Sequence, residues 1–93
     1  MNFAFGHVKF KKHQQESWLV MTGEITNNCG KHFNAVVFRA AVFIKNIPVG
    51  NGVFTINGFY NGQTRTFETR IGELEAKIIP EISRFEIYAE TAY

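Results

Sequence analysis

Apolar and polar residues alternate with a period of two along most of this chain, the pattern of half-buried β-strands. Phe3 and Phe5 share one face of a first strand. Val8 and Phe10 continue it out of phase, and Gly6 sits where a bulge or bend would absorb the extra residue. The polar run His13-Gln14-Gln15-Glu16-Ser17 reads as a turn. A second strand follows from about Trp18 to Thr26, with Leu19, Met21, Gly23 and Ile25 on one face and Trp18, Val20, Thr22 and Glu24 on the other. Asn27 to Lys31 is a loop on composition. The strongest strand spans Asn34 to Lys45: Val36, Phe38, Ala40, Val42 and Ile44 make an unbroken apolar face. Its β-branched and aromatic content outweighs the helical preference of its alanines.

Asn46 to Gly52 reads as a long loop, and Val53 to Ile56 as a short strand. Asn57-Gly58 and Asn61-Gly62 are both turn dipeptides. A further strand covers Gln63 to Ile71 around Phe67, and the last runs from Arg84 to Thr91, with Phe85, Ile87 and Ala89 on one face. Glu73 to Ile79 favours a short helical turn that Pro80 would stop. Six or seven strands with turn signals between them suggest a sandwich or a small barrel. Phe38 and Phe67 are expected on opposite sides of one core, and Gly23 is expected to let a bulky neighbour, Trp18 or a phenylalanine, pack close.

Length and composition narrow the picture. Ninety-three residues make one domain, 1–93. The chain carries 10 phenylalanines, enough to build most of a core without other staples. Cys29 is the only cysteine, so no disulfide forms within the chain. All 8 acidic residues are glutamates, which closes any mechanism that needs an aspartate. A net charge of +2 does not by itself imply nucleic acid or a membrane surface. The longest apolar stretch, Ala40 to Ile44, is too short to span a bilayer, and residues Met1 to Lys12 lack the apolar run of an export signal. The expected location is cytoplasmic if the chain is complete, and the cell envelope if it is a piece of an exported protein.

Several features together carry a resemblance. One strand ends Gly23-Glu24-Ile25-Thr26-Asn27-Asn28, and a long strand ends Phe38-Arg39-Ala40-Ala41-Val42-Phe43-Ile44-Lys45-Asn46. Then come Ile56-Asn57-Gly58-Phe59-Tyr60-Asn61-Gly62 and, five residues later, Phe67. From Leu19 to Phe67 this order resembles the bacterial and archaeal FxLYD-type domains. Their hallmark is a glycine-to-asparagine strand end, a long strand closing on an aliphatic-aromatic-acid triplet, and a spaced Ile, Leu, Gly and Phe. Here Val42 to Asn46 stands where Leu-Tyr-Asp is expected, with Asn46 in place of the acid. The resemblance implies an immunoglobulin-like antiparallel β-sandwich of about seven strands, with no enzymatic activity and no catalytic residues. Independently of the resemblance, Asn27, just past a strand, can hydrogen-bond the turning backbone.

Candidate chemistry is sparse. Cys29-Gly30-Lys31-His32 has a C-x-x-H spacing, but the paired cysteines or tight histidine pair of a structural zinc site are missing, so a loop thiol and a loop imidazole are expected, with no metal and no cofactor. A Cys29–His32 nucleophilic pair would need an orienting group and an oxyanion hole that no motif supplies. Lys9-Phe10-Lys11-Lys12-His13 could grip phosphates while Phe10 stacks on a base; the plainer reading turns Phe10 inward and leaves the lysines to blunt an edge strand. Glu73 and Glu75 read as solvated rather than as an acid–base pair.

The expected function is therefore a non-catalytic binding or adaptor module, acting through a sheet face or edge strand on a protein partner or a second copy of itself. Two alternatives stand beside it: a protease inhibitor presenting Asn46 to Gly52 with Pro48 as its rigid element, and a small nucleic-acid-binding barrel of the OB type. The face opposite Phe38 carries Val37, Arg39, Ala41 and Phe43, and in an immunoglobulin-like sandwich the last strand adds Tyr88 to it. Val37, Arg39, Phe43 and Tyr88 are the candidate partner-binding residues, being rich in the types that interfaces favour. The alternative for that face is cover by the chain's own Gly72 to Ile79 segment.

Overall fold

The computed structural model describes residues 2–93. Six strands and one 3-10 turn follow in the order β1 (Phe3–Lys12), β2 (Trp18–Asn27), β3 (Phe33–Ile44), β4 (Ile47–Phe59), β5 (Thr64–Glu75), the turn Ala76–Glu81 and β6 (Arg84–Ala92). They form two antiparallel three-stranded sheets, β1-β2-β5 and β4-β3-β6. This is an all-β sandwich in the immunoglobulin-like order, in which the first, second and fifth strands face a sheet built around the third. Among the described residues no helix is long and apolar enough to cross a membrane.

The period-two pattern places the core as expected. Leu19, Met21 and Ile25 of β2 face Val36, Phe38, Ala40 and Val42 of β3, and all seven are fully buried. The phase slip in β1 is a bulge: the ladder with β2 pairs Gly6 with Glu24 and then Lys9 with Thr22, leaving His7 and Val8 as the irregular residues, with His7 at φ 52°. Both halves of the strand thereby turn their apolar side chains inward, so Phe3, Val8 and Phe10 all pack on the core. Phe38 and Phe67 lie on opposite sheets. Phe54 joins them, stacked on Phe38 at 5.4 Å and on Phe67 at 4.6 Å. Gly23 does make room for a phenylalanine: a Cβ there would stand 2.8 Å from the Phe67 ring.

Three segments differ from the sequence reading. Asn46 to Gly52 is no loop. Lys45 and Asn46, at φ 52° and 62°, make a two-residue hairpin turn, and β4 starts at once with Ile47 opposite Ile44. The glycines that read as loop residues serve a close approach of strands instead. A Cβ on Gly52 would meet the Arg70 carbonyl oxygen at 2.3 Å, and one on Gly50 the Leu74 side chain at 2.7 Å. Of the two turn dipeptides only Asn61-Gly62 turns the chain; Asn57-Gly58 stays inside β4, with Gly58 at φ 62°. The helical turn begins later, at Ala76, and Pro80 sits within it, since the fixed φ of proline suits a short 3-10 segment. Two three-stranded sheets also replace the OB-type barrel of the second alternative.

At one end of the sandwich both chain crossings meet at Asn27. Its side-chain amide donates to the carbonyls of Lys31 (2.9 Å) and Phe59 (3.1 Å), and its Oδ1 accepts from the Cys29 amide (2.9 Å). Its backbone bonds Gln63 O and Gly62 N. The residue is completely buried, and so is its bond to the Phe59 carbonyl, which would otherwise lie unpaired.

Asn27→Ala should therefore cost about 2–4 kcal/mol, because stranded buried groups lose roughly 1–3 kcal/mol each. Asn27→Asp should not restore the stability, since it keeps the acceptor for Cys29 but loses both donors; thermal melts of the two variants check this. Gly52→Ala should cost about 3 kcal/mol or more, because backbone cannot yield to the new methyl, and Gly23→Ala clearly less, because a ring can. Equal melting temperatures for the two glycine variants would contradict the backbone contact between β4 and β5.

Candidate functional site: the open seam between β1 and β6

The sandwich is closed on one side and open on the other. Where β4 and β5 meet, glycines bring the two backbones into contact. The opposite side is bounded by β1 and β6, each at the edge of its sheet. There the inward side chains of both strands reach the surface. Phe5 and Phe85 are 37% and 40% exposed, too much for residues that alternate onto the core side. Phe10 meets the Phe85 ring edge-on at 5.9 Å, the aromatic contact that spans the seam. Beside it lies an open hollow of about 260 Å³ lined by Phe3, Phe5, Ile87, Tyr88 and Ala89.

The floor of the seam is rigid. Phe3 packs on Phe38 (5.1 Å), Phe59 (5.7 Å) and Phe33 (6.0 Å), and Phe5 lies edge-on to Phe38 at 6.1 Å. The two rims differ. β1 is interrupted by the His7–Val8 bulge and carries Lys9, Lys11 and Lys12, the features with which sheets block edge pairing. From Arg84 to Ala89, β6 runs in unbroken register with β3, and its other edge pairs with no strand among the described residues. The seam thus joins apolar side chains to unpaired strand backbone, which is what an added strand needs.

A larger hollow of about 510 Å³ lies on the outer face of the β1-β2-β5 sheet, around His7, Lys11, Glu24 and Glu68. Four of its charged groups pair off, His7 with Glu24 at 3.0 Å and Lys11 with Glu68 at 2.9 Å, and Lys9 also lines it. Exposed pairs of this kind leave little unbalanced charge for a ligand. The smaller apolar seam is therefore the stronger candidate.

The four residues expected to bind a partner, Val37, Arg39, Phe43 and Tyr88, share one outer face but differ in exposure. All belong to the β4-β3-β6 sheet, where Arg39 stands opposite Tyr88. Tyr88 is exposed, but Phe43 is only 8% exposed, because the Arg84 guanidinium lies 3.7 Å over its ring. Arg84 is held there by Asn46 (3.0 Å) and Glu86 (2.5 Å). Arg39 donates to Asn51 and pairs with Glu90 at 3.1 Å; the Glu90 carboxylate raises its pKa above the ordinary arginine value. Val37 is half-buried. On the outer face expected from Val37 and Phe43, the Phe43 ring is thus roofed by Arg84 of the same sheet, while Tyr88 stays exposed. The segment expected to cover it packs Ile78 and Ile79 against the core instead.

Phe10 points inward and the lysines beside it outward, so no ring stands among the cations to stack on a base. Cys29 and His32 are not brought into contact by any hydrogen bond. The Cys29 Sγ exchanges hydrogen bonds with the Asn2 backbone at 3.2 and 3.4 Å, and His32 Nδ1 accepts from the Asn61 amide at 2.9 Å. Glu73 and Glu75 are exposed near the end of β5, Glu75 within 3.6 Å of the Lys77 ammonium. Among the described residues no group of three His, Cys, Asp or Glu side chains is placed to hold a metal ion. The seam residues Phe5, Phe85 and Ile87 were legible only as a core face; that β1 and β6 are both edges has no sequence signal.

Cys29→Ser should melt within about 1 kcal/mol of the parent, since a hydroxyl can replace both weak thiol hydrogen bonds to Asn2. A larger loss in calorimetry would show that the packing of the sulfur, rather than its hydrogen bonds, holds the start of β1. Comparison with protein-family models, with curated proteins and with solved structures finds no match to this chain.

Proposed function

We propose that this domain is a non-catalytic binding module that accepts an extended strand along the free edge of β6. The observation that carries the reading is the coincidence of an unpaired, regular strand edge with exposed inward-facing Phe5 and Phe85. Strand addition draws its affinity from main-chain hydrogen bonds and its specificity from alternate side chains. Here the alternate side chains of the added strand would cover the hollow beside Phe3, Ile87 and Ala89. The resemblance to FxLYD-type domains, which implies no enzymatic activity, supports the same reading. In the protease-inhibitor alternative the presented segment, Asn46 to Gly52, would be an exposed hairpin turn and strand start and not a long loop.

The test is an amide-resolved NMR titration of the labelled domain with a lysine-flanked peptide of alternating isoleucine and threonine. Shifts and slowed hydrogen exchange should concentrate at Phe85, Ile87 and Ala89, with Phe5 responding across the seam. Shifts confined to β4 or to the outer sheet faces, or none at millimolar peptide, would refute the reading.

A further inference from the structure

Resting on that reading, we propose that the strand β6 takes up is the β6 of a second copy of this chain, antiparallel about a two-fold axis at Ile87. Residues opposite one another in an antiparallel pair face the same side of the sheet. A two-fold axis between residues would set an inward side chain against an outward one, so the axis must pass through a residue. Centring on Glu86 sets that carboxylate against itself, and centring on Tyr88 sets Glu86 against the partner's Glu90. Like charges directly opposite destabilise a strand pair.

Centring on Ile87 has neither defect. Phe85 then lies opposite the partner's Ala89, and Ile87 opposite the partner's Ile87, so both seams share one apolar layer. On the outer side Arg84 lies opposite the partner's Glu90, and Glu86 opposite the partner's Tyr88. The two-fold axis repeats the Arg84–Glu90 contact, one at each end of the shared ladder. Both groups already stand on that side: Arg84 lies over Phe43, and Glu90, which has no partner on β3, turns to Arg39. β1 offers no comparable surface, because its bulge lies in mid-strand, whereas that of β6 lies beyond Ala89, and its lysines oppose self-pairing. The shared edge is short, so the interface falls in the small class, below about 1,200 Å², typical of weak and reversible association.

Sedimentation equilibrium over a dilution series from millimolar to micromolar should show a reversible dimer. Arg84→Glu and Glu90→Arg should each weaken it about tenfold or more, and the combined variant should regain much of the loss. Because Arg84 also covers Phe43, a second trap avoids it: Ile87→Cys in a Cys29→Ser background should oxidise to a covalent dimer, as facing residues of an antiparallel pair lie within disulfide reach. Lys9→Cys in the same background should not. A monomer at every concentration that still binds the isoleucine–threonine peptide at β6 would overturn the dimer and leave the strand-acceptor reading standing. A monomer that binds no peptide would overturn both. A dimer indifferent to the charge changes and untrapped by Ile87→Cys uses another surface, and would overturn the dimer proposed here.

Discussion

Everything at one end of this sandwich hangs on the side chain of Asn27. A two-sheet fold must pass its chain from sheet to sheet, and each crossing frees backbone groups from their ladders. Two crossings, β2 to β3 and β4 to β5, meet at this residue. One amide satisfies the carbonyls of Lys31 and Phe59 and the amide of Cys29, while its backbone fixes Gly62 and Gln63. An asparagine is the only common side chain of that length with both a double donor and an acceptor. Its burial leaves no water to take over, so the positions of β3 and β5 relative to β2 depend on it.

From that end the asymmetry of the sandwich follows. β5 leaves the Asn27 corner and runs against β4, where Gly50 and Gly52 let the strands approach closely. Three strands per sheet and contact on that side leave the inward residues of β1 and β6 without a roof on the other. The phenylalanine cluster fills the interior up to that boundary and stops there, with Phe5 and Phe85 half in water. The seam is thus the cost of closing the opposite side.

The same asymmetry separates the two candidate binding surfaces. On the outer face of the β4-β3-β6 sheet, Arg84 folds down on Phe43 and is held by Glu86 and Asn46. A long side chain can cover apolar area while keeping its charge in water. An apolar position on that face can be covered in this way. The edge of β6 cannot, because unpaired backbone is satisfied only by water or by another strand.

The chain's own pattern determined a great deal: the all-β class, the faces of β2 and β3, the bulge in β1, the burial of Phe38 and Phe67, and the room left at Gly23 for a phenylalanine. All follow from local alternation, since a residue's side of a strand is set by its neighbours two positions away. The tertiary structure alone decided what Gly50 and Gly52 are for, because a strand glycine facing another backbone has the same local signature as a loop glycine. It alone decided that Arg84, far away in sequence, covers Phe43 on the expected apolar face. It alone decided that β1 and β6 are both edges. Pairing between strands depends on contacts between residues distant in the chain, and alternation says which way a side chain points without saying what, if anything, stands opposite.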